Sequence, residues 1–127
     1  MTKVSTITPS YKSEKYLKGF LKNVKQQTHN NFEIILDHKV PTKNEINIVK
    51  KFNSKNNNIK HLIVDKVYPI GTSMNRCIEN STGEYLCIWN VDDLRTPNSI
   101  EVNSFMFSRI FIKSMIPFFS CCLTRSV

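Results

Sequence analysis

The chain has 127 residues, enough for one domain with a real hydrophobic core and too few for two. Its composition, 40% hydrophobic and 22% charged with three glycines, excludes collagen-like, mucin-like and wholly disordered proteins. A formal charge of +8 favours anionic partners such as nucleic acid, anionic lipid or phosphorylated small molecules, or else reflects a surface of solvated lysines.

Short β-rich runs alternate with helical patterns, which predicts βαβ units and a parallel sheet. The first strand is expected over residues 3–8, with Pro9 ending it. Ser13 is expected to cap a helix whose apolar stripe follows the i, i+3, i+4, i+7 spacing and comprises Leu17, Phe20, Leu21 and Val24. Residues 32–37 form a nearly unbroken apolar run, typical of a strand that is covered on both faces.

The second half of the chain continues this alternation. We expect a helix over residues 43–53, a strand over 59–65, a helix from 71 to about 80, and a strand over 84–89. Thr96-Pro97 then supplies an N-cap and a first-turn proline for another helix. Four strands joined by crossover helices predict half of an open, Rossmann-like α/β sheet.

The cysteines and the N-terminus bear on the cellular compartment. The cysteines form no Cys-x-x-Cys pair, and no histidine stands at ligand spacing from Cys77, Cys87, Cys121 or Cys122. We therefore expect free thiols in a reducing compartment and no zinc site. The N-terminus has no apolar h-region, so we expect no signal peptide and a cytoplasmic location.

The chain changes character after residue 103, which we take as the end of an α/β domain over 1–103. The tail over 104–127 contains no Asp, Glu, Asn or Gln, and five of the eight phenylalanines lie in it. A spanning helix needs about 20 mostly apolar residues, and Arg109 and Lys113 argue against one within 105–123. Peripheral membrane contact through 105–123 and a reading-frame change after a truncation stay open as alternatives.

Ligands of open α/β sheets bind at the carboxyl ends of the strands. Polar residues follow three of the predicted strands, at Thr8–Tyr11, Asp37–Lys39 and Asn90–Asp93. Adjacent carboxylates such as Asp92 and Asp93 repel each other unless a cation lies near them. Mg²⁺ or Mn²⁺ would be held there by one or two carboxylates and by substrate phosphate oxygens. The alternative is an ordinary Asp-rich turn in which a carboxylate caps backbone amides.

Several segments, in order, resemble the N-terminal part of family 2 glycosyltransferases. The matching segments are residues 4–11 (VSTITPSY), residues 26–35 (QQTHNNFEII), Asn75, Gly83–Leu86, and Asn90–Asp93, which falls on the D-x-D-D motif of the family. The resemblance implies a GT-A fold, a nucleotide-diphosphate sugar as donor, and Mn²⁺ or Mg²⁺ as cofactor.

The resemblance also implies roles for individual residues. Thr8, Pro9 and Tyr11 would bind the donor, with Tyr11 stacking on the nucleobase. Asp92 would be the leading ligand of the metal and the diphosphate, with Asp93 beside it as a second metal ligand. The alternatives are that Thr8 simply ends a strand and that Tyr11 packs on the first helix.

The chain departs from the family pattern at two donor-binding positions. Lys39 stands at the second Asp of the V-D-D-G-S stretch of the family, so either Asp37 binds the base or base recognition differs. Asn90 replaces the first Asp of D-x-D and brings no charge to a metal, although it can bind a ribose or sugar hydroxyl. We expect Asn75 to complete the donor site.

The general base of the family comes from a later half of the domain, which the chain lacks. We therefore expect an inverting glycosyltransferase that is truncated and that, alone, binds the donor weakly and transfers sugar to its unknown acceptor poorly or not at all. A non-catalytic nucleotide-sugar-binding or interaction module is the alternative. Nucleic-acid binding is not expected, because the basic residues are spread out and no recognition motif occurs.

Overall fold

The computed structural model describes residues 2–101 and, for their backbone alone, residues 102 and 107–108. It contains a five-stranded sheet with four parallel strands and one antiparallel edge strand, in the order β3-β2-β1-β4-β5. The elements in chain order are β1 (Val4–Tyr11), α1 (Glu14–Lys25), β2 (Phe32–Lys39), α2 (Lys43–Asn56), β3 (Ile59–Val64), α3 (Ile70–Glu79), β4 (Tyr85–Ile88), α4 (Ser99–Val102) and β5 (Phe107–Ser108). This confirms the predicted Rossmann-like, mostly parallel α/β architecture.

Helices cover both faces of the sheet and define two hydrophobic cores. The larger core lies under α1 and α2, where the rings of Phe20 and Trp89 meet edge to face with centroids 5.2 Å apart. The smaller core lies under α3 and joins Ile7 and Ile35 to Cys77 and neighbouring side chains. The predicted apolar stripe of α1 is confirmed, because its four members are all at most 4% exposed.

β1 runs through Pro9 to Tyr11, so the prediction that Pro9 ends the strand was wrong. The ladder between β1 and β4 stops at Ile7 and Ile88, and the Trp89 amide donates to the Ile7 carbonyl just beyond it. The backbone of Pro9, two residues after Ile7, faces the β4 side of β1. The β1–β4 ladder has already ended at this point, so the position has no strand partner on that side. A residue without an N–H is tolerated at such an edge.

The two helices on the larger core begin in different ways. Ser13 stands at the N-cap position of α1, but its hydroxyl makes no cap bond and is hydrogen-bonded to Ser10 and Glu45 instead. Thr42 and Glu45 form a complete capping box at the start of α2. The carboxylate of Glu45 therefore serves both the start of α2 and the Ser13 hydroxyl.

The sheet leaves no room for a side chain at Gly83, just before β4. A Cβ atom there would lie 2.6 Å from Ser5 Oγ and 2.7 Å from Ser5 N. We expect Gly83→Ala to lower the free energy of unfolding by about 1–3 kcal/mol, measured by urea denaturation. Gly19→Ala is the matched control, because Gly19 lies inside α1 with open space around it and alanine there favours the helix by about 1 kcal/mol. Equal effects at the two glycines would contradict this steric explanation.

Among the helices that the structure describes, none is long and apolar enough to cross a bilayer. Cys77 and Cys87 are buried, and burial together with the nearby Asp37 carboxylate raises the pKa of Cys77 to about 12. Cys121, Cys122 and most of the 105–123 segment, with its predicted membrane contact, lie outside the described residues.

Candidate functional site

A cleft of about 310 Å³ opens between the carboxyl ends of β1 and β4. The chain passes from β3 through α3 to β4 on the other side of β1, so the strand order reverses between β1 and β4, the place where a crevice forms in such sheets. The residues that line the cleft are Pro9, Ser10, Tyr11, Lys12, Ser13, Tyr16, Ile70, Asn90, Val91 and Asp92. The cleft therefore lies at the edge of the sheet where the sequence predicted a ligand site.

One wall of the cleft is aromatic and basic. Tyr11 and Tyr16 are 43% and 45% exposed, which is high for large aromatic rings. Lys12 Nζ lies 5.4 Å from the centroid of the Tyr11 ring, and Lys15 Nζ lies 5.6 Å from that of Tyr16. Exposed rings with ammonium groups beside them are suited to a planar base and its attached phosphates.

The opposite wall is the turn that follows β4. The Asp93 amide donates to the Asn90 carbonyl at 3.1 Å and closes the turn, and Asn90 and Asp92 face the cleft. Asp92 and Asp93 are exposed, and neither carboxylate forms an ion pair with any side chain that the structure describes. No three His, Cys, Asp or Glu side chains converge as a metal cluster within the described residues. The turn therefore offers one or two carboxylates, the number with which proteins hold a phosphate-bound Mg²⁺.

Buried contacts hold this turn in place. Trp89 is fully buried, and its indole Nε1–H donates to the Asp93 carbonyl at 2.9 Å. The side-chain amide of Asn23, on α1, donates to the Arg95 carbonyl and accepts from the Arg95 amide, both at 2.7 Å. The position of α1 thus sets the position of the segment that carries Asp92.

The cleft brings together four of the predicted donor-binding residues, Pro9, Tyr11, Asn90 and Asp92. Thr8 lies below it, fully buried, with its hydroxyl 3.4 Å from that of Thr6. Asn75 is half-buried on α3 and is not among the residues that line the cleft, so its role in donor binding stays a prediction.

Asp37 lies under α3 instead of at the cleft. β2 continues regularly past it, pairing Asp37 with Pro9 and Lys39 with Tyr11, so the end of the strand is not displaced. The Asp37 carboxylate is fully buried, and one oxygen accepts from Arg76 Nη1 at 2.8 Å. The other oxygen is buried without a hydrogen-bond partner among the described residues, and Asp37 is not one of the residues that line the cleft. Its role in binding the base stays a prediction.

A chain of hydrogen bonds, which sequence reasoning missed, leads from the cleft wall into the protein. The hydroxyls of Ser10 and Ser13 bond to each other, and Ser13 donates to Glu45 Oε2 at 3.3 Å. His38 Nε2 lies 2.6 Å from the same oxygen, and His38 Nδ1 lies 3.0 Å from His61 Nε2. The Thr-x-x-Glu capping spacing in the sequence signals Glu45, but only the fold brings these five residues together.

The electrostatics of this chain favour an ionised Glu45 beside a neutral His61. Burial alone would raise the pKa of Glu45, but hydrogen bonds from the Thr42 amide, His38 and Ser13 hold it below its ordinary value. Burial and the neighbouring His38 lower the pKa of His61 from 6.5 to about 4. With a carboxylate as the acceptor, His38 Nε2 is the donor of their bond.

We expect the free energy of unfolding to fall as the pH is lowered from 6.5 towards 4. In this window the unfolded chain binds a proton at His61 that the folded protein does not bind. The loss should be about 1–2 kcal/mol, since the ring is partly exposed and solvent screens its charge. Urea denaturation across the window measures it, and His61→Gln should remove this part of the slope. Parallel curves for both proteins would contradict the assignment.

The chain is similar to known proteins over most of the described residues. The chain matches the model of glycosyl transferase family 2 over residues 5–102. It is 31% identical over 98 residues to the glycosyltransferase GlyG of Streptococcus pneumoniae, a match that covers 77% of this chain and 33% of that protein. The chain spans between 16% and 42% of the length of the curated relatives that it matches, 36% and 33% for two of them.

Solved structures show the same fold. S. aureus TarS 1–349 in complex with UDP matches with a TM-score of 0.69 and 26% identity, over 78% of this chain and 30% of that one. The mannosyltransferase PcManGT of Pyrobaculum calidifontis, in complex with GDP-Man and Mn²⁺, matches with a TM-score of 0.70 over 79% of this chain and 30% of that one. Its identity is 17%, so this likeness concerns the fold alone.

Proposed function

Because the chain belongs to glycosyl transferase family 2, we propose that its cleft binds the nucleotide diphosphate of a sugar donor for transfer, with inversion, to an acceptor hydroxyl. The observation that carries this proposal is that the Asn90–Asp93 turn and Tyr11 face one cleft from opposite sides. A nucleobase binds to an aromatic surface, and a diphosphate requires a group that neutralises its charge. The cleft has Tyr11 for the base and, for the diphosphate, a turn whose carboxylates can hold a cation.

The base and the phosphates would occupy different parts of the cleft. The exposed ring of Tyr11 or Tyr16 stacks on the base, a contact worth about 1–3 kcal/mol in nucleic-acid complexes. Lys12 stands between the two tyrosines in sequence and lines the cleft, where its ammonium group attracts phosphate oxygens. Asn90 faces the same space and can accept a hydrogen bond from a ribose or sugar hydroxyl.

The cation site would lie at Asp92, with Asp93 as the adjacent carboxylate. Both side chains are exposed and lack an ion pair among the described residues, and Asp92 lines the cleft in which the diphosphate would bind. Mn²⁺ or Mg²⁺ bound there would neutralise charge on the diphosphate as it departs. Trp89 would keep the turn in place while the donor binds.

A non-catalytic nucleotide-sugar-binding module is the second candidate. Asp92 is the one carboxylate among the residues that line the described cleft, and Asn90 supplies an amide where a second carboxylate would strengthen cation binding. In that case the cleft would bind the donor without help from a metal.

Isothermal titration with a uridine- and a guanosine-diphosphate sugar tests both candidates. We expect Mn²⁺ to raise the affinity for one of the two donors at least about tenfold over an EDTA-treated sample. Equal binding with and without Mn²⁺ would favour the non-catalytic module. Absence of binding under both conditions would overturn the assignment of the cleft.

A further inference from the structure

A second groove lies between α1 and α2, outside the donor cleft. It has a volume of about 290 Å³ and is lined by Lys18, Leu21, Lys22, Lys25, Ile48, Lys51, Phe52, Lys55 and Asn56. Five of these nine residues are lysines, and none is acidic. The groove therefore combines an apolar floor with a positively charged rim.

The lysines stand in two rows set by helical spacing. Lys18, Lys22 and Lys25 follow one face of α1, and Lys51 and Lys55 are four residues apart on α2. All five are exposed, and none forms an ion pair with an acidic side chain that the structure describes. Their charges are therefore available to an external anion.

The floor of the groove is apolar. Leu21 is 4% exposed, while Ile48 and Phe52 are partly buried against the larger core and remain accessible from the groove. The methylene stems of the lysines can lie along this floor while their ammonium groups reach outward. An anionic group with hydrocarbon attached to it matches both parts of the groove.

We propose that the α1–α2 groove docks the protein on an anionic lipid bilayer, with lysines on the headgroup phosphates and the apolar floor facing the hydrocarbon boundary. The charged residues of the rim are all lysines, whose compact charge on a flexible stem suits a fluid array of headgroups better than a fixed bidentate partner. Amphipathic helices that lie on membranes combine the same residue types, Lys on one side and Leu or Phe on the other.

The groove and the donor cleft share no lining residue. The cleft lies at the carboxyl ends of the strands, and α1 and α2 run back from that edge, so Lys25 and Lys55 in their last turns lie towards the opposite edge. Docking and donor binding are therefore separable in experiment.

Sedimentation with sucrose-loaded vesicles tests the proposal on the full chain. We expect binding to vesicles of phosphatidylcholine with 30% phosphatidylglycerol at about 0.1 M salt, and much weaker binding to phosphatidylcholine alone. The triple variant Lys22→Gln, Lys51→Gln, Lys55→Gln should bind about 100-fold more weakly, since each lysine near an anionic surface contributes about fivefold.

A matched variant separates the contribution of the groove to vesicle binding from the contributions of net charge and of the apolar tail, because both triple variants have the same net charge and the same tail. Lys43→Gln, Lys50→Gln, Lys66→Gln removes the same three charges from exposed positions outside the groove, and should weaken binding by less than about tenfold. Equal losses in the two triple variants would overturn the proposal, as would failure of the wild type to bind anionic vesicles. Displacement by a short oligonucleotide at equal phosphate concentration would assign the groove to polyanions instead of lipid. Both triple variants should bind the sugar donor as the wild type does, because neither changes a residue that lines the cleft. A negative result in the vesicle experiment would therefore not count against the proposed function of the cleft.

Discussion

Asp92→Ala is expected to remove the Mn²⁺-dependent part of donor binding, a loss of at least about tenfold, and to leave stability nearly unchanged. Loss of a group that merely orients a metal ligand costs about 10–100-fold in metal affinity, and loss of a carboxylate ligand should cost at least as much. The stability effect should be small because the Asp92 side chain is exposed and makes no ion pair with a described residue. Isothermal titration with Mn²⁺ measures the first effect and urea denaturation the second.

Two further variants are controls for the loss of one negative charge. Asp93→Ala removes the adjacent carboxylate, which stands beyond the residues that line the cleft, and we expect it to weaken donor binding less than Asp92→Ala does. Asp65→Ala removes the same charge from an exposed position just after β3 and should change nothing. If Asp92→Ala keeps the Mn²⁺ dependence of the wild type, the turn is not the cation site.

Trp89→Ala is expected to lower the free energy of unfolding by about 3–5 kcal/mol. Trp89 is the largest fully buried side chain, it meets Phe20 edge to face, and the Arg95 guanidinium lies 5.4 Å from its ring. Truncation would leave a cavity in the larger core between α1 and the end of β4. Urea denaturation followed by circular dichroism measures the loss, because the substitution removes the sole tryptophan of the chain.

Trp89→Phe separates packing from the hydrogen bond that closes the turn. Phenylalanine keeps an aromatic ring near Phe20 but cannot donate to the Asp93 carbonyl. We expect a loss of stability smaller than that of Trp89→Ala by at least about 1 kcal/mol, together with weaker donor binding, because the turn at Asp92 loses its anchor. A loss below about 1 kcal/mol for Trp89→Ala would show that the indole is not a main support of the core.

Local patterns in the sequence were enough to predict most of the fold. The apolar spacing of α1 and the unbroken apolar run of β2 depend on neighbouring residues, and both are present as predicted. The path of β1 through Pro9 was missed, because it depends on where the ladder with β4 stops, nearly 80 residues further along the chain. The sequence predicts that Ser13 caps α1, but its hydroxyl donates a hydrogen bond to the buried carboxylate of Glu45, on the following helix, instead.

The candidate site also contains residues whose position could be predicted from the sequence and residues whose position could not. Tyr11, Asn90 and Asp92 follow predicted strands that end at the same edge of the sheet, so the sequence predicts that they lie together, and they share one cleft. Asp37 also follows the end of a predicted strand, but β2 extends two residues beyond it, and Arg76 from α3 holds its carboxylate. The pairing of Asp37 with Arg76 arises from the packing of a helix on a strand, which spacing along the chain does not reveal.

The position of β1 in the middle of the sheet has a consequence for synthesis. β1 spans Val4–Tyr11, and its second parallel partner, β4, covers Tyr85–Ile88. At about 5–20 residues per second, a ribosome needs several seconds between these two segments. Throughout that interval one edge of β1 lacks its partner, although β1 is almost wholly buried in the folded protein. An unpaired strand edge can form hydrogen bonds with strands of other chains. We therefore expect nascent chains stalled before residue 85 to bind chaperones or aggregate, and chains released after residue 102 to do so far less.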